Sequence, residues 1–318
     1  MRKMPYNLKE ISKKPPRLTG GHKMCAGCGA PVVVRCVLSA LKPEDHAVIG
    51  LATGCLEVST WLYPFTAWKD SVIHNAFENV SATVSGACAA YNAKKRMCGQ
   101  KEGKETKFIA FAGDGGTYDI GLQSLSGALE RGHDMVYVCY DNGAYMNTGI
   151  QRSSATPEFA NTTTSPVGKI RNGKEGRRKN LTQIVAGHNI PYVAQSSPMS
   201  AKHGGFKDLY NKAEKAIYTE GPTFINAFAP CPRGWRYSTP HLIEICDLAV
   251  ETCIWPLYEI VEGKLKITYE PKKKLPVTDF LKQQGRFAHL FKEGNEYMIE
   301  SIQKSVDREW EDLKKMSI

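Results

Sequence analysis

Lys107-Phe108-Ile109-Ala110-Phe111-Ala112-Gly113-Asp114-Gly115-Gly116 and, one helical stretch later, Met135-Val136-Tyr137-Val138-Cys139-Tyr140-Asp141-Asn142-Gly143 decide how this 318-residue chain folds. Both apolar runs are short and rich in aromatic or β-branched residues, the composition of strands buried on two faces. Between them Ile120, Leu122, Leu125 and Leu129 recur at helical spacing. Strand, helix, strand is a parallel crossover, and each strand ends in a polar turn.

In an open α/β sheet, ligands sit at the carboxyl ends of the strands, where Asp114 and Asn142 both fall. A hard cation such as Mg2+ takes one or two carboxylates, neutral oxygens and substrate phosphates; Asp114, the Asn142 amide and a loop carbonyl nearby would supply such a set. The glycines after Asp114 let backbone approach a ligand, and the helix start behind Gly115 and Gly116 favours phosphate oxygens. The pair of turns suits a metal-diphosphate.

Outward from this unit the αβ rhythm continues. A helix is expected from Leu181 to His188, a strand from Pro191 to Gln195, a helix from Phe206 to Tyr218 and a strand from Thr223 to Ala227. Such alternation predicts an α/β fold with a doubly wound, mostly parallel sheet. After Pro256 the pattern becomes a hairpin, Leu257 to Tyr269, turning at Glu262-Gly263, and Glu296 to Met316 reads as an amphipathic helix. We expect an N-terminal arm over 1–20 (Pro5, Pro15, Pro16 among basic residues), a main domain over 21–255, and a C-terminal extension over 256–318 that packs on that domain or on a partner subunit.

A hydrophobic content of 42% is enough for a real core. No basic-then-apolar leader and no run of 18 apolar residues is visible, so a cytoplasmic chain with no membrane span is expected. The net charge of +10 suits an acidic partner, such as an electron carrier, or a phosphorylated substrate. Without an RNA-binding or helix-turn-helix signature, the scattered lysines read as solvated surface, not a nucleic-acid site. The basic stretch Lys169, Arg171, Lys174, Arg177, Arg178 and Lys179 reads as a solvated lid.

The ten cysteines are expected to be thiols or metal ligands in a reducing compartment. Cys25-Ala26-Gly27-Cys28 is a C-x-x-C loop ahead of a helix, which serves equally as a zinc half-site, a redox dithiol or an iron-sulfur half-site. Either metal reading needs two more ligands. Cys55, in Thr53-Gly54-Cys55-Leu56 after a strand, and Cys231, between Pro230 and Pro232 after another, are the candidates. Inert burial competes for each, and is the expectation for Cys36, Cys88, Cys98, Cys139, Cys246 and Cys253. His74, Glu57 and Glu78 read as polar groups at element ends rather than as acids or bases. The aromatic loop Trp61 to Trp68 is expected to shelter the thiols or face a partner.

Gly113-Asp114-Gly115 with Asn142 28 residues after Asp114 resembles the thiamine diphosphate motif, and Asp141-Asn142-Gly143-Ala144-Tyr145-Met146-Asn147-Thr148-Gly149 resembles its form in the β subunits of 2-oxoacid:ferredoxin oxidoreductases. The resemblance spans about residues 20 to 270. It implies the thiamine diphosphate-binding type of α/β fold, with Gly54, Cys55, Leu56, Gly113, Asp114, Gly115, Gly116, Asn142, Ala144, Met146 and Asn147 around the cofactor. Asp114, Asn142 and the Ala144 carbonyl would hold Mg2+, and Asn147 would lie at the reactive thiazolium. Cys25, Cys28, Cys55 and Cys231 would hold one [4Fe-4S] cluster.

For function the resemblance implies oxidation of pyruvate with coenzyme A to acetyl-CoA and CO2, two electrons passing to ferredoxin. The thiamine-activating glutamate belongs in that family to a pyrimidine-binding domain on the α subunit, so this chain is expected to be inactive without it; γ and ferredoxin-like δ subunits are further partners. Relatives often carry an acidic residue at the positions of Ala30 and Gly143. Their absence here leaves oxalate, or another 2-oxoacid, as the alternative substrate, and a zinc-stabilised nucleotide-binding protein as the alternative of another class.

Overall fold

Eight strands line up in one sheet, whose inner strands carry apolar side chains on both faces. They are β1 (His46–Ala52), β2 (Ser71–Asn75), β3 (Thr106–Gly113), β4 (Val136–Asp141), β5 (Tyr192–Ser196), β6 (Thr223–Phe228), β7 (Leu257–Val261) and β8 (Lys264–Tyr269). The computed structural model describes residues 7–98 and 105–317. Strand order is β8-β7-β5-β6-β4-β3-β1-β2, parallel from β5 to β2, with β7 and β8 added antiparallel at one edge.

Alternate residues divide between two cores. Ile109, Phe111, Val136, Val138 and Tyr140 face a layer containing α1 (Gly29–Ser39) and α4 (Lys207–Tyr218). Phe108, Ala110, Ala112, Tyr137 and Cys139 face the layer of α2 (Val80–Cys98), α3 (Leu122–Glu130), α5 (Leu242–Glu251) and α6 (Glu296–Met316). This period of two on both faces is what a central strand in a three-layer fold requires. At Gly50 a Cβ would stand 2.2 Å from Val84, so the small residue there lets α2 lie close on the sheet.

From β1 the chain steps to β2 on one side, then returns past β1 to β3, so the direction of winding reverses between β1 and β3. A crevice opens at such a switch point, outside the strand ends. Register puts the exits level: Leu51 pairs with Phe111, Gly113 with Tyr140, and Asp141 with Phe228. The loops holding Gly54-Cys55, Asp114, Asn142 and Cys231 therefore leave the same rim.

The hairpin turns at Glu262-Gly263, both at positive φ (48° and 78°), the backbone of a two-residue turn matched to strand twist. It joins the main sheet, Val193 pairing with Ile260. Met298, Ile302, Val306, Trp310 and Leu313 of α6 are buried in the same core. Pro5 lies outside the described residues; further along, Leu18 is buried, bridges to Trp68, and Arg17 bonds Asp70 at 2.6 Å. No described helix is long and apolar enough to cross a membrane.

Several expectations need correction. Ile120 is 53% exposed, because a turn of π-helix, Gly115–Asp119, rotates the register before α3 begins. Cys98 is exposed at the end of α2, Cys36 is only partly buried, and Cys253 lies past α5 at positive φ, although buried. The helix expected to reach His188 ends at Ala186. The basic stretch is no simple solvated lid: Lys174 is buried and donates to the Ser154, Thr156 and Arg177 carbonyls, while Arg178 turns in to Asp141. A carboxylate buried at a strand end needs a countercharge, and this loop supplies it. Lys169, Arg171 and Arg177 do remain exposed.

Candidate functional site

The crevice at the switch point is lined from three strand ends. Thr53, Gly54 and Cys55 come from β1, Gly113, Gly115 and Gly116 from β3, and Asn142, Ala144, Tyr145, Met146, Asn147 and Thr148 from β4, with Phe77 and Tyr140 completing the wall. Asp114 is fully buried beneath the floor. Its Oδ2 accepts a 2.5 Å hydrogen bond from Ser153 Oγ, and Oδ1 accepts the Asn142 N–H at 3.2 Å.

One end of the Asn142 amide stands 2.9 Å from Asp114 Oδ1 and 2.8 Å from the Ala144 carbonyl oxygen. With nitrogen at that end, the amide donates to both. With oxygen there, three acceptors face one another, an arrangement that a proton on Asp114 or a cation among them satisfies. Adjacent ligands on octahedral Mg2+ stand about 2.9 Å apart when each bond is about 2.05 Å, and the two separations from the Asn142 amide match that spacing. A carboxylate, an amide and a carbonyl are also the donor set a hard cation selects.

Burial, then the neighbouring Asp141 carboxylate, push the Asp114 pKa well above the usual range. Arg178 moderates this: its Nη2 lies 2.5 Å from Asp141 Oδ2 and from Tyr118 Oη, and Asp141 Oδ1 accepts the Gly143 N–H at 3.1 Å. Because the raised pKa keeps Asp114 partly protonated, a divalent cation must displace that proton. Mg2+ affinity of the cofactor-free chain should therefore rise with pH and level off above the raised pKa. Calorimetric titration with Mg2+ and thiamine diphosphate across pH 6 to 9 checks the slope; a flat profile would refute it.

Tyr145 crosses the turn with its hydroxyl donating to the Gly115 carbonyl at 2.9 Å, and a Cβ on Gly115 would meet its ring at 2.3 Å. Glycine is obligatory there for steric reasons. Phe77 packs edge-on against the same ring. Leu56 does not line the crevice: it is 1% exposed and packs into the core. His74 Nε2 is 2.9 Å from Thr53 Oγ1, and Glu57 Oε2 lies 3.8 Å from it, a polar end group behind the wall. No Asp or Glu is among the residues that line the crevice.

The thiols gather on the neighbouring part of the rim. The C-x-x-C loop is pinned to the Cys231 loop by Gly29 N–H to Pro230 O (2.9 Å) and Tyr237 Oη to Gly27 O (2.7 Å). Burial first, and then possible charge on Cys231, Cys55 and Cys25, push Cys28 up to about 12. Burial and the charges of Cys231 and Cys25 take Cys55 to about 11. Clustered thiols that resist ionisation separately lose their protons to a metal. Among the described residues no three His, Cys, Asp or Glu side chains are grouped as a site for a metal ion.

A short helix, Pro232–Trp235, locks the two regions together. Cys231 Sγ accepts the Gly234 N–H at 3.4 Å, and Trp235 Nε1 donates to the Asn142 carbonyl at 2.6 Å. Met146 lies against Gly234, where a Cβ would come within 2.2 Å of its sulfur. Cys55 Sγ is 3.9 Å from Asn147 Oδ1. Thr53, Phe77, Tyr140, Tyr145 and Thr148 of the wall escaped sequence reasoning. Tyr145 and Thr148 sit beside chosen positions in an irregular loop, where no periodicity signals orientation.

Residues 52–227 match the family described as thiamine pyrophosphate enzyme, C-terminal TPP binding domain. The pyruvate synthase subunit PorB of Thermotoga maritima is 49% identical over 98% of this chain and 96% of its own length. That of Methanocaldococcus jannaschii is 50% identical over 90% and 93%. The ketoisovalerate oxidoreductase subunit VorB of Pyrococcus furiosus is 43% identical over 99% and 98%. Among solved structures, the 2-oxoglutarate:ferredoxin oxidoreductase of Magnetococcus marinus shares the fold at a TM-score of 0.55, with 20% identity over 68% of this chain and 67% of that one.

Proposed function

The chain belongs to the 2-oxoacid:ferredoxin oxidoreductases as their thiamine diphosphate-binding β subunit, and from that premise we propose that it serves a pyruvate synthase and holds Mg2+-thiamine diphosphate and one [4Fe-4S] cluster. The reaction is pyruvate, coenzyme A and oxidised ferredoxin to acetyl-CoA, CO2 and reduced ferredoxin. The metal reading is carried by the meeting of Asp114 Oδ1, the Asn142 amide and the Ala144 carbonyl beneath the crevice. Pyruvate as substrate is supported by the names of the two relatives near 50% identity. A branched-chain 2-oxoacid is the second reading, favoured by the 43% relative.

When bound, the thiazolium stabilises the negative charge left by decarboxylation, and the cluster accepts electrons singly. The chain's own residues do the placing. Asp114, Asn142 and Ala144 would hold the cation, and Gly113, Gly115 and Gly116 leave room for diphosphate. Cys25, Cys28, Cys55 and Cys231 would hold the cluster. Asn147 is assigned to the substrate end, where its contact with Cys55 sets reaction and electron exit side by side.

Among the described residues no acidic side chain lines the crevice, and we assign the group that activates the aminopyrimidine to the α subunit; γ and δ subunits and ferredoxin complete the proposed assembly. The decisive experiment is co-expression and anaerobic purification with partner subunits, assayed with viologen against pyruvate, 2-oxoisovalerate, 2-oxoglutarate and oxalate. Pyruvate should give the highest kcat/KM, and this chain alone should show no turnover. Faster oxidation of 2-oxoisovalerate would move the assignment to the second reading; full activity of the isolated chain would refute the shared site.

A further inference from the structure

Arg286 is 3% exposed, yet among the described residues no carboxylate oxygen stands within 4.0 Å of its guanidinium. Arg178, by contrast, has Asp141. Among the described residues, the one hydrogen bond from the Arg286 side chain runs from Nε to Gln284 Oε1 at 2.8 Å. Its guanidinium carbon lies over the Trp235 ring, 3.9 Å from the centroid, and Nη1 is 3.1 Å from where a Cβ on Gly143 would stand. A buried cation left without an anion is costly, so its retention calls for a negative partner not among these side chains.

The location identifies the partner's chemistry. Arg286 is not among the residues that line the cofactor crevice. Of the acidic groups whose charge acts on it, Cys231 is foremost, ahead of Asp141 and Asp114, while burial brings its pKa down to about 9. Trp235, on which it stacks, ends the short helix that Cys231 caps.

We propose that Arg286 is the internal counter-cation of the cluster held by Cys25, Cys28, Cys55 and Cys231, and that it raises the cluster's reduction potential. This rests on the cluster assignment above. Reduction adds one electron to an already anionic tetrathiolate cluster, so a fixed positive charge that interacts with Cys231 stabilises the reduced form more than the oxidised one. Easier reduction would favour electron flow out of the crevice. Arg286 is a positioning residue of electrostatic kind, touching neither substrate nor cofactor.

The test is a dye-mediated redox titration, followed by electron paramagnetic resonance, of the full-length chain reconstituted anaerobically with iron and sulfide. Arg286→Gln and Arg286→Met should retain iron and sulfide. At the wild-type midpoint their reduced-to-oxidised ratio should fall about tenfold, equivalent to about 59 mV for a one-electron couple. Arg286→Lys should stay within about threefold of the wild type. Unchanged midpoints with lowered melting temperatures would overturn the proposal and leave Arg286 as a packing group on Trp235. If the neutral variants shed the cluster, Gly143→Asp decides: aspartate tolerates the positive φ and sets a carboxylate beside Nη1, and an unshifted midpoint there overturns the proposal. Absence of iron and sulfide from the wild-type chain would instead sink the cluster assignment itself.

Discussion

Asp114→Asn should abolish Mg2+-dependent binding of thiamine diphosphate while leaving the cofactor-free fold intact. Asparagine keeps the shape of the side chain and its acceptor for the Asn142 N–H, but removes the charge that a hard cation needs. Loss of an outer-shell partner alone costs metal sites 10- to 100-fold in affinity, so loss of this ligand should cost more than about 100-fold. Stability should move the other way. The folded-state pKa of Asp114 is raised, so its stabilising contribution is fully present below the unfolded carboxylate value and is lost as pH rises through the folded one. The substituted chain lacks that loss and should melt no lower than the wild type at neutral pH and above. Calorimetry for affinity and a melting series from pH 5 to 9 read both effects; retained cofactor affinity would remove Asp114 from the metal.

The second large effect is expected at the thiols. Cys231→Ser preserves a cap for the short helix, since a hydroxyl accepts the Gly234 N–H as the sulfur does. What it removes is the soft donor that we assign to the cluster. Iron content of the assembled, anaerobically purified complex should fall, and viologen reduction by pyruvate should drop at least about 100-fold, the upper end of what a disturbed metal shell costs. Binding of Mg2+-thiamine diphosphate, read by its thermal shift, should remain within about threefold. Normal iron with normal turnover would dismiss the sulfur as a ligand. Zinc in stoichiometric amount without iron would overturn the cluster assignment.

Much of the architecture was legible because local and long-range signals agreed. Lys107 to Gly116 and Met135 to Gly143 have one reading as buried strands with polar exits, and parallel register then forces Asp114 and Asn142 to the same rim. The same logic brings the loops of Cys28, Cys55 and Cys231 to one rim, where burial and their mutual charge raise the thiol pKa values; that they hold a cluster is our proposal. Legibility failed where charge was taken at face value. Arg178 stands in a basic run that reads as solvated surface, and only the burial of Asp141 in three dimensions explains why it turns inward. Arg286 is further still from any motif in sequence. Leu56 is assigned to the cofactor through its backbone; its side chain is buried because the helix Cys55–Thr60 turns one face to the core immediately after the crevice. Ile120 fell to a π-turn that no hydrophobic count registers.

The contact of Met146 with Gly234 sets a limit on how this subunit can diversify. There is no slack between them: a side chain at Gly234 would run into the Met146 sulfur next to Cys231, the thiol we assign to the cluster. On the proposed function, selection for bulkier or smaller 2-oxoacids would therefore fall on other residues of the wall, such as Thr53 and Phe77, rather than on Met146. Substrate choice could then drift while the proposed electron-carrying side stays the same.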